Sequence, residues 1–483
     1  MSAGTSSPMT GVTDLLAHLT GARVVAECAQ PVLRVHTDTR TLAPGDLFVA
    51  LRGERFDAHT YLPQARALGA VAVVAERGLA ESGLPGVEVT DSRQALGELA
   101  RLWRKRYTGP LVAVTGSNGK TTVTQMVASI LRAAEPQQTH ATQGNLNNDI
   151  GVPLTLLRLR DHHRLSVVEL GMNHPGEIAG LAAMAQPTVA LVNNAQREHQ
   201  EFMGTVEAVA RENGAVLQAL STEGTAVFPS DDDHTPLWRE LAAGRRVMTF
   251  SDRDAHADVL AESAQWQQGH WQVQWRAFGQ SHQVRLHIAG RHNVRNAMAA
   301  AACALAAGVS VAAVQAGLEA FEPVGGRSRA LALTLPDGRR LGLVDDTYNA
   351  NPDSVRAAID VLAELPGPRW LALGDMGEVG EQGLAFHLEV LRHARDKGID
   401  AVHVSGDWMR QACEALRAAG EPTPTYWNDV DALAAYAAQL IEHAHSAPTS
   451  WLVKGSRFMR MERVVRALQA AVTPAEKDST HVA

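Results

Sequence analysis

The sequence predicts an α/β protein built on parallel sheets, in three domains, with a phosphate-binding loop at the head of the middle one. Short apolar, β-branched runs alternate with longer segments of helical periodicity along the chain. One such junction, LVAVTGSNGKTT at 111–122, joins a strand-like run to a helix through glycines, a lysine and two threonines. From about residue 325 onward, polar and glycine residues follow each of four strand-like runs, as they do where ligands meet the carboxyl ends of a doubly wound sheet. At 483 residues the length suits about three domains.

Composition narrows the class. Hydrophobic content of 45% with 20% charge is that of a globular chain. The net charge of −8, with acids and bases intermixed, leaves no basic footprint, so no nucleic acid partner is expected. Cys28, Cys303 and Cys413 are scattered and in no metal or redox spacing, which suits a reducing cytoplasm. The first ten residues are small and polar and contain no secretory apolar core. The alanine-rich stretch 297–320 carries few large apolar residues, so two packed helices broken at Gly308 are expected rather than a membrane span.

Residues 1–108 form a first α/β unit. Asp38, Thr39 and Arg40 precede a Pro44-Gly45 turn and an apolar strand at 47–51, and Arg52 to His59 make a polar loop. Such loops hold a diphosphate and a nucleoside, or are plain solvated turns. A second strand is expected at 71–75 and an amphipathic helix at 91–107. Thr108-Gly109-Pro110 then breaks the pattern and sets the boundary.

The second unit, 109–323, opens with the loop. Gly116, Ser117, Asn118 and Gly119 allow successive backbone N–H groups to face an anion, and a helix beginning near Lys120 presents its positive end to the same anion. Lys120 adds a cation, the hydroxyl of Thr121 suits Mg²⁺, and Thr122 follows it. The spacing is shorter than the standard Walker pattern, with Val114 where that pattern has its first glycine. Mononucleotide binding is the reading. The asparagine-rich 144–157 offers amides for a ligand or for turns. A strand at 166–170 brings Glu169 to a sheet mouth, where it would hold Mg²⁺. After a strand at 188–192, His199 falls on the same edge, although a lone histidine there is more often not a ligand. At 286–296, Asn293 and Asn296 crowd a helix start, where they would either cap it or pair with an adenine edge.

The third unit, 324–483, has strands at 341–344, 370–373, 401–404 and 451–453. They are followed by Asp345-Asp346 with Tyr348 and Asn349, by Gly374-Asp375, by Gly406-Asp407, and by Lys454 to Arg457. The residues from about Pro474 are polar and expected to fray.

With these blocks assembled, the chain resembles the Mur ligase family along nearly its whole length. The blocks are TDTR, PGDLFVAL, GERFDAH, TGSNGKTT, GNLNNDIGVPLTLL, VVELGMNHPGEI, GRHNVRNA, DDTYNANPDS, GDMGEVG and VKGSR. GNLNNDIGVP, DTYNANP and GDMGE resemble the type that adds D-alanyl-D-alanine, and the DNPR signature of the type adding the third amino acid is absent. The resemblance implies the three-domain Mur ligase architecture and an ATP-dependent amide ligase. The first domain would bind UDP-N-acetylmuramoyl-tripeptide, the second ATP and Mg²⁺, and the Rossmann-like third D-alanyl-D-alanine. A monomeric, cytoplasmic enzyme of peptidoglycan precursor synthesis is expected.

By the same resemblance, Lys120 and the loop amides would hold the β- and γ-phosphates. Thr121 and Glu169 would bind one Mg²⁺, and Glu169 and His199 would serve a second. Asn293 and Asn296 would read adenine, Arg327 would reach the γ-phosphate, and Asp346 the ribose. Thr39 and Arg40 would contact the UDP moiety, and Asn349, Lys454, Ser456 and Arg457 the substrate on the dipeptide side. Family members usually carry a carbamylated lysine downstream of the histidine. Here Asn213 aligns to it, flanked by Arg211 and Glu212. Either Asn213, acting through water, is expected to serve the second metal ion in its place, or the enzyme relies mainly on the metal held by Thr121 and Glu169. The rival readings are a folylpolyglutamate synthase or other amide ligase of this superfamily, and a nucleotide-binding module without ligase activity.

Overall fold

The computed structural model describes residues 7–267, 269–442 and 448–472. The expected fraying from Pro474 lies outside these residues. Three sheets follow one another along the chain. The first holds β1 (Arg23–Ala26), β2 (Arg34–His36), β3 (Asp46–Val49), β4 (Ala72–Ala75) and β5 (Gly86–Glu88), in the order β1-β5-β4-β3-β2. All pairs are parallel except β1 with β5.

The middle sheet has nine strands: β6 (Leu111–Thr115), β7 (Thr139–Ala141), β8 (Leu165–Glu169), β9 (Val189–Val192), β10 (Thr225–Pro229), β11 (Arg246–Ser251), β12 (Val259–Gln267), β13 (His270–Ala277) and β14 (Gln280–Leu286). Their order is β14-β13-β12-β11-β10-β9-β6-β8-β7. β6 is buried along its whole length, as a parallel strand covered by helices on both faces must be. It lies between β8 and β9, so Glu169 and the chain from Asn193 emerge on either side of the loop that follows it. β10 to β14 lie in 225–286, for which the sequence sets no expectation. β12 to β14 form an antiparallel meander.

The helix Lys120–Ala134 buries Val123, Met126, Val127, Ile130 and Leu131, the residues at helical spacing. It packs closely on the helix Val311–Glu319, where a Cβ on Gly317 would come within 2.3 Å of the Ile130 Cα. The alanine-rich stretch is the pair of helices His292–Ala306 and Val311–Glu319, with Gly308 between them at φ 86°. The first is buried on nearly every side, which its small side chains permit. No described helix is long and apolar enough to cross a membrane.

The third sheet holds β15 (Arg329–Thr334), β16 (Arg340–Asp346), β17 (Arg369–Gly374), β18 (Ala401–Ser405), β19 (Thr425–Trp427) and β20 (Ser450–Lys454), in the order β15-β16-β20-β17-β18-β19. The four expected strands are the adjacent parallel β16, β20, β17 and β18. Their carboxyl ends therefore share one edge.

The expected break near Pro110 does not separate two cores. The helix Ser92–Arg104, capped by Asp91, packs on the helices Gly151–Leu156 and Glu177–Ala185. Trp103 donates its indole N–H to Leu159 O at 3.1 Å, and Arg104 Nε donates to Ala185 O at 2.8 Å. One apolar cluster runs from Met9 through Trp103 to Trp238.

Candidate active site

A cleft of about 1560 Å³ lies between the second and third sheets, with the glycine-rich loop as its floor. Gly116 takes φ 129°, and a Cβ there would come within 2.9 Å of the Asn193 Cβ. Gly119 takes φ 81°, and a Cβ would meet Asn296 Oδ1 at 2.7 Å. Both positions need glycine for conformation and for space. The loop is braced by the segment after β9. Asn118 N donates to Asn194 Oδ1 at 2.9 Å, Asn118 Nδ2 to Gln196 Oε1 at 2.6 Å, and Asn193 Nδ2 to Asn118 O at 2.8 Å. Ser117 Oγ accepts from Gln196 N at 2.9 Å. The helix from Lys120 then aims its free N–H groups into the cleft.

Lys120 Nζ donates to Gly116 O at 2.6 Å, Ser117 O at 3.0 Å and Glu198 Oε1 at 2.5 Å. Glu198, which precedes His199 and carries no motif of its own, is buried. Its Oε2 has no hydrogen-bond partner. Burial favours its neutral form, but Lys120 and His199 outweigh this and hold its carboxyl below the ordinary range. His199 sits in a left-handed conformation at φ 48°, with Nε2 3.3 Å from Glu198 and Nδ1 2.5 Å from Glu378. Burial works to lower its pKa, yet the two carboxylates raise it to about 9. At neutral pH His199 is thus an imidazolium held between carboxylates. It becomes a metal ligand only by releasing that proton.

Glu169 ends β8 at the loop's other flank. Its Oε1 accepts from Asn147 Nδ2 at 2.8 Å, which gives the asparagine-rich block one definite task, and its buried Oε2 has no partner. Thr121 lines the cleft beside Lys120. The two carboxylate oxygens without partners and the threonine hydroxyl are donors of the kind a hard divalent cation takes, although no three acidic, histidine or cysteine side chains among the described residues are arranged to hold one by themselves.

At the far end, Asn293 and Asn296 line the cleft, but their amides are engaged with one another. Asn296 Nδ2 donates to Asn293 Oδ1 at 2.8 Å, Asn193 Nδ2 to Asn296 Oδ1 at 3.0 Å, and Asn293 Nδ2 to Ala289 O at 2.7 Å. The chain of amides runs beneath Gly119. The third sheet contributes Arg327, whose guanidinium lies 3.9 Å from the centre of the Tyr348 ring. Asp346, Asn349 and Lys454 also line the cleft. Lys454 is buried, donating to Asp346 Oδ2 at 2.6 Å and to Asn349 O at 2.9 Å.

The remaining expected residues lie outside the cleft. Ser456 is buried and accepts from Gly377 N at 2.6 Å. Arg457 is exposed and pairs with Glu462 at 3.3 Å. Thr39 and Arg40 follow β2 in the first sheet, with Arg40 paired to Asp38 at 2.6 Å. Asn213 corrects an expectation. It is buried under the loop, accepting from Gly116 N at 2.9 Å and donating to Val209 O at 3.1 Å, and it does not line the cleft where a metal ion would sit. Glu212 turns elsewhere, capping the helix Glu177–Ala185 through Gly176 N and Ile178 N at 2.8 Å each.

Contacts between the second and third units close over the loop. Arg197 pairs with Asp353 at 2.5 Å and with Glu389 at 2.8 Å, and it lies over the Phe386 ring. Asn351 Nδ2 donates to Asn118 Oδ1 at 2.9 Å. Arg197 gave no signal in the sequence, and Glu378 entered only within the GDMGEVG block with no role of its own, because each acts through a partner more than a hundred residues away.

Three family profiles match the chain: "Mur ligase family, catalytic domain" over residues 32–104, "Mur ligase middle domain" over 114–304, and "Mur ligase, glutamate ligase domain" over 334–457. A UDP-N-acetylmuramoyl-tripeptide–D-alanyl-D-alanine ligase of Escherichia coli (strain K12) is 40% identical over 465 residues, covering 96% of this chain and 98% of that protein. The crystal structure of MurF from Acinetobacter baumannii superimposes with a TM-score of 0.87 at 33% identity, covering 97% of this chain and 100% of that one. MurF from Thermotoga maritima, solved in complex with ADP, gives a TM-score of 0.77 at 26% identity, over 91% of this chain and 97% of that one.

Proposed function

Because the chain belongs to the Mur ligase family, we propose that it is an ATP-dependent ligase joining D-alanyl-D-alanine to UDP-N-acetylmuramoyl-tripeptide, in peptidoglycan precursor synthesis. The observation that carries this reading is the convergence of Lys120, Thr121, Glu169, His199 and Arg327 on one cleft, in a chain similar to such ligases over nearly its full length.

A carboxylate is a poor electrophile. The terminal carboxylate of the tripeptide attacks the γ-phosphorus of ATP, ADP leaves, and an acyl phosphate forms. The neutral amine of the dipeptide attacks that acyl carbon, phosphate departs with the carbonyl–oxygen bond, and the amine proton is lost to solvent. Charge gathers on the transferring phosphoryl group, so the protein's task is positioning and cation placement. The loop amides and Lys120 hold the β- and γ-phosphates, and Arg327 meets the γ-phosphate from the third unit. Gly116 serves by its backbone, while Asn293 and Asn296 stand at the adenine end. Thr121 and Glu169 would hold one Mg²⁺, and Glu169 with deprotonated His199 would serve a second, the ions supplying neutralisation of phosphate charge.

On this reading residues 1–108 bind the UDP-sugar peptide, with Thr39 and Arg40 at the UDP moiety. Residues 109–323 bind ATP, and 324–483 bind the dipeptide. Asp346 faces the ribose with Lys454 fixing its direction, and Asn349 lines the dipeptide side. Ser456 shapes the turn at Gly377, and Arg457 stands at the rim. The enzyme acts as a monomer in the cytoplasm, where ATP and nucleotide-linked sugars are made. Phosphate release with UDP-N-acetylmuramoyl-tripeptide, with and without D-alanyl-D-alanine, tests the assignment. Release that ignores the dipeptide contradicts it.

A further inference from the structure

We propose that Glu198 supplies the second metal-binding carboxylate of this enzyme, taking the place of the missing lysine carbamate, and that Lys120 holds it until nucleotide arrives. The inference rests on the ligase reading above and adds a residue to its site.

The segment aligned to the carbamylated lysine offers no group to the cleft. Asn213 is bound beneath Gly116, Glu212 caps another helix, and Arg211 is exposed beside Glu207. Negative charge for a second cation would have to come from another element. Glu198, on the loop after β9, lines the same cleft as Glu169 and Thr121. Only 6% of it is exposed, Oε1 contacts Lys120 Nζ at 2.5 Å, and Oε2 is buried without a partner. A residue that lines the cleft and keeps one buried carboxylate oxygen without a donor offers a ligand position.

The pairing with Lys120 supplies the exchange. Phosphate binding draws Lys120 towards the nucleotide, which removes the cation now facing Glu198. With Lys120 withdrawn only His199 faces the buried Glu198 carboxylate, and a divalent cation would offset the charge that Lys120 had balanced. No group of three or more acidic, histidine or cysteine side chains among the described residues is arranged to hold a metal by protein alone. That is the condition in which Mg²⁺ takes one or two carboxylates and completes its shell with phosphate oxygens and water. The groups facing Glu198 are Lys120 and His199, the latter 3.3 Å away and itself held by Glu378. His199 is therefore the competing counter-ion.

The test counts bound Mn²⁺ by electron paramagnetic resonance on the full-length chain saturated with a non-hydrolysable ATP analogue. Wild type binds two ions per chain and Glu198→Gln one, while Glu198→Asp keeps both with a weaker second. In EDTA, Glu198→Gln also binds the analogue several-fold more tightly, because Lys120 is no longer held. Thermal midpoints and Glu198→Asp separate loss of the site from loss of the fold. Two ions in Glu198→Gln, or one in wild type, overturns the role of Glu198 while leaving nucleotide binding and the ligase reading intact. Failure of wild type to bind the analogue overturns both.

Discussion

Lys120 has three acceptors within hydrogen-bond distance, two of them carbonyls of its own loop, so its ammonium is placed by backbone that the glycines shape. Lys120→Ala is expected to lower kcat by roughly 10²-fold or more, with the far-ultraviolet circular dichroism unchanged, because Lys120 contributes to no apolar cluster. Steady-state phosphate release checks it, and a near-normal rate would remove the loop from the chemistry. Asn213 makes a second residue-scale case. Asn213→Ala leaves the buried Gly116 N–H without its acceptor, at a cost of about 1–3 kcal/mol, which urea denaturation reads directly, together with weaker ATP binding. Turnover in CO₂-depleted buffer is expected to be unaffected by added bicarbonate, since no lysine stands at 213 to be carbamylated. Residue identity was legible here, but direction was not. Successive helical residues diverge by about 100°, and only the seating of the helix Val206–Gln218 decides that 213 faces the loop and 212 the neighbouring helix.

At the scale of elements, the loop after β9 carries two kinds of contact at once. Asn193, Asn194 and Gln196 brace the phosphate loop, while Arg197 reaches Asp353 and Glu389 across the cleft. Arg197→Ala removes charge-assisted hydrogen bonds between the two units, and a fall in kcat/KM of about tenfold or more is expected, from roughly 1.5–3 kcal/mol. A wider small-angle scattering profile should accompany it. On the proposed reading, Arg327→Ala should lower kcat far more than it weakens ATP binding, because Arg327 belongs to the third unit and would meet the γ-phosphate only in the assembled site. Isothermal titration beside turnover distinguishes the two effects. Strands with continuous apolar runs, such as β6, β8 and β9, could be read from the sequence to within a residue or so. β12 to β14 carry the alternation of tryptophan and valine with glutamine that an antiparallel meander with one covered face imposes, although no strand was expected there. The break at Thr108 to Pro110 marks a change of sheet, yet Trp103 and Arg104 fasten the first unit to the second. Fragments cut there should lose cooperativity, so functional tests belong on the whole chain.

Across the whole molecule, several histidines are buried as neutral rings. Burial, reinforced by Arg158, lowers the pKa of His140 to about 3, and burial lowers that of His403 to about 4. Each folded value lies below the unfolded one near 6.5, so their contribution is fully present above pH 6.5. It is lost as pH falls from there towards 4 and 3. At pH 5 each should cost about 2 kcal/mol. The urea midpoint of wild type should drop between pH 7 and pH 5, and His140→Gln should shallow that slope by about one proton. The overall reading, an amide ligase assembled between its second and third units with the UDP-sugar peptide on the first, meets its most direct test in one assay. UDP-N-acetylmuramoyl-tripeptide, ATP, Mg²⁺ and D-alanyl-D-alanine are combined with the purified chain, and products are identified by mass spectrometry. The account predicts UDP-N-acetylmuramoyl-pentapeptide, with one ADP and one phosphate formed for each. Phosphate released without the pentapeptide, or no release on adding the dipeptide, would contradict it.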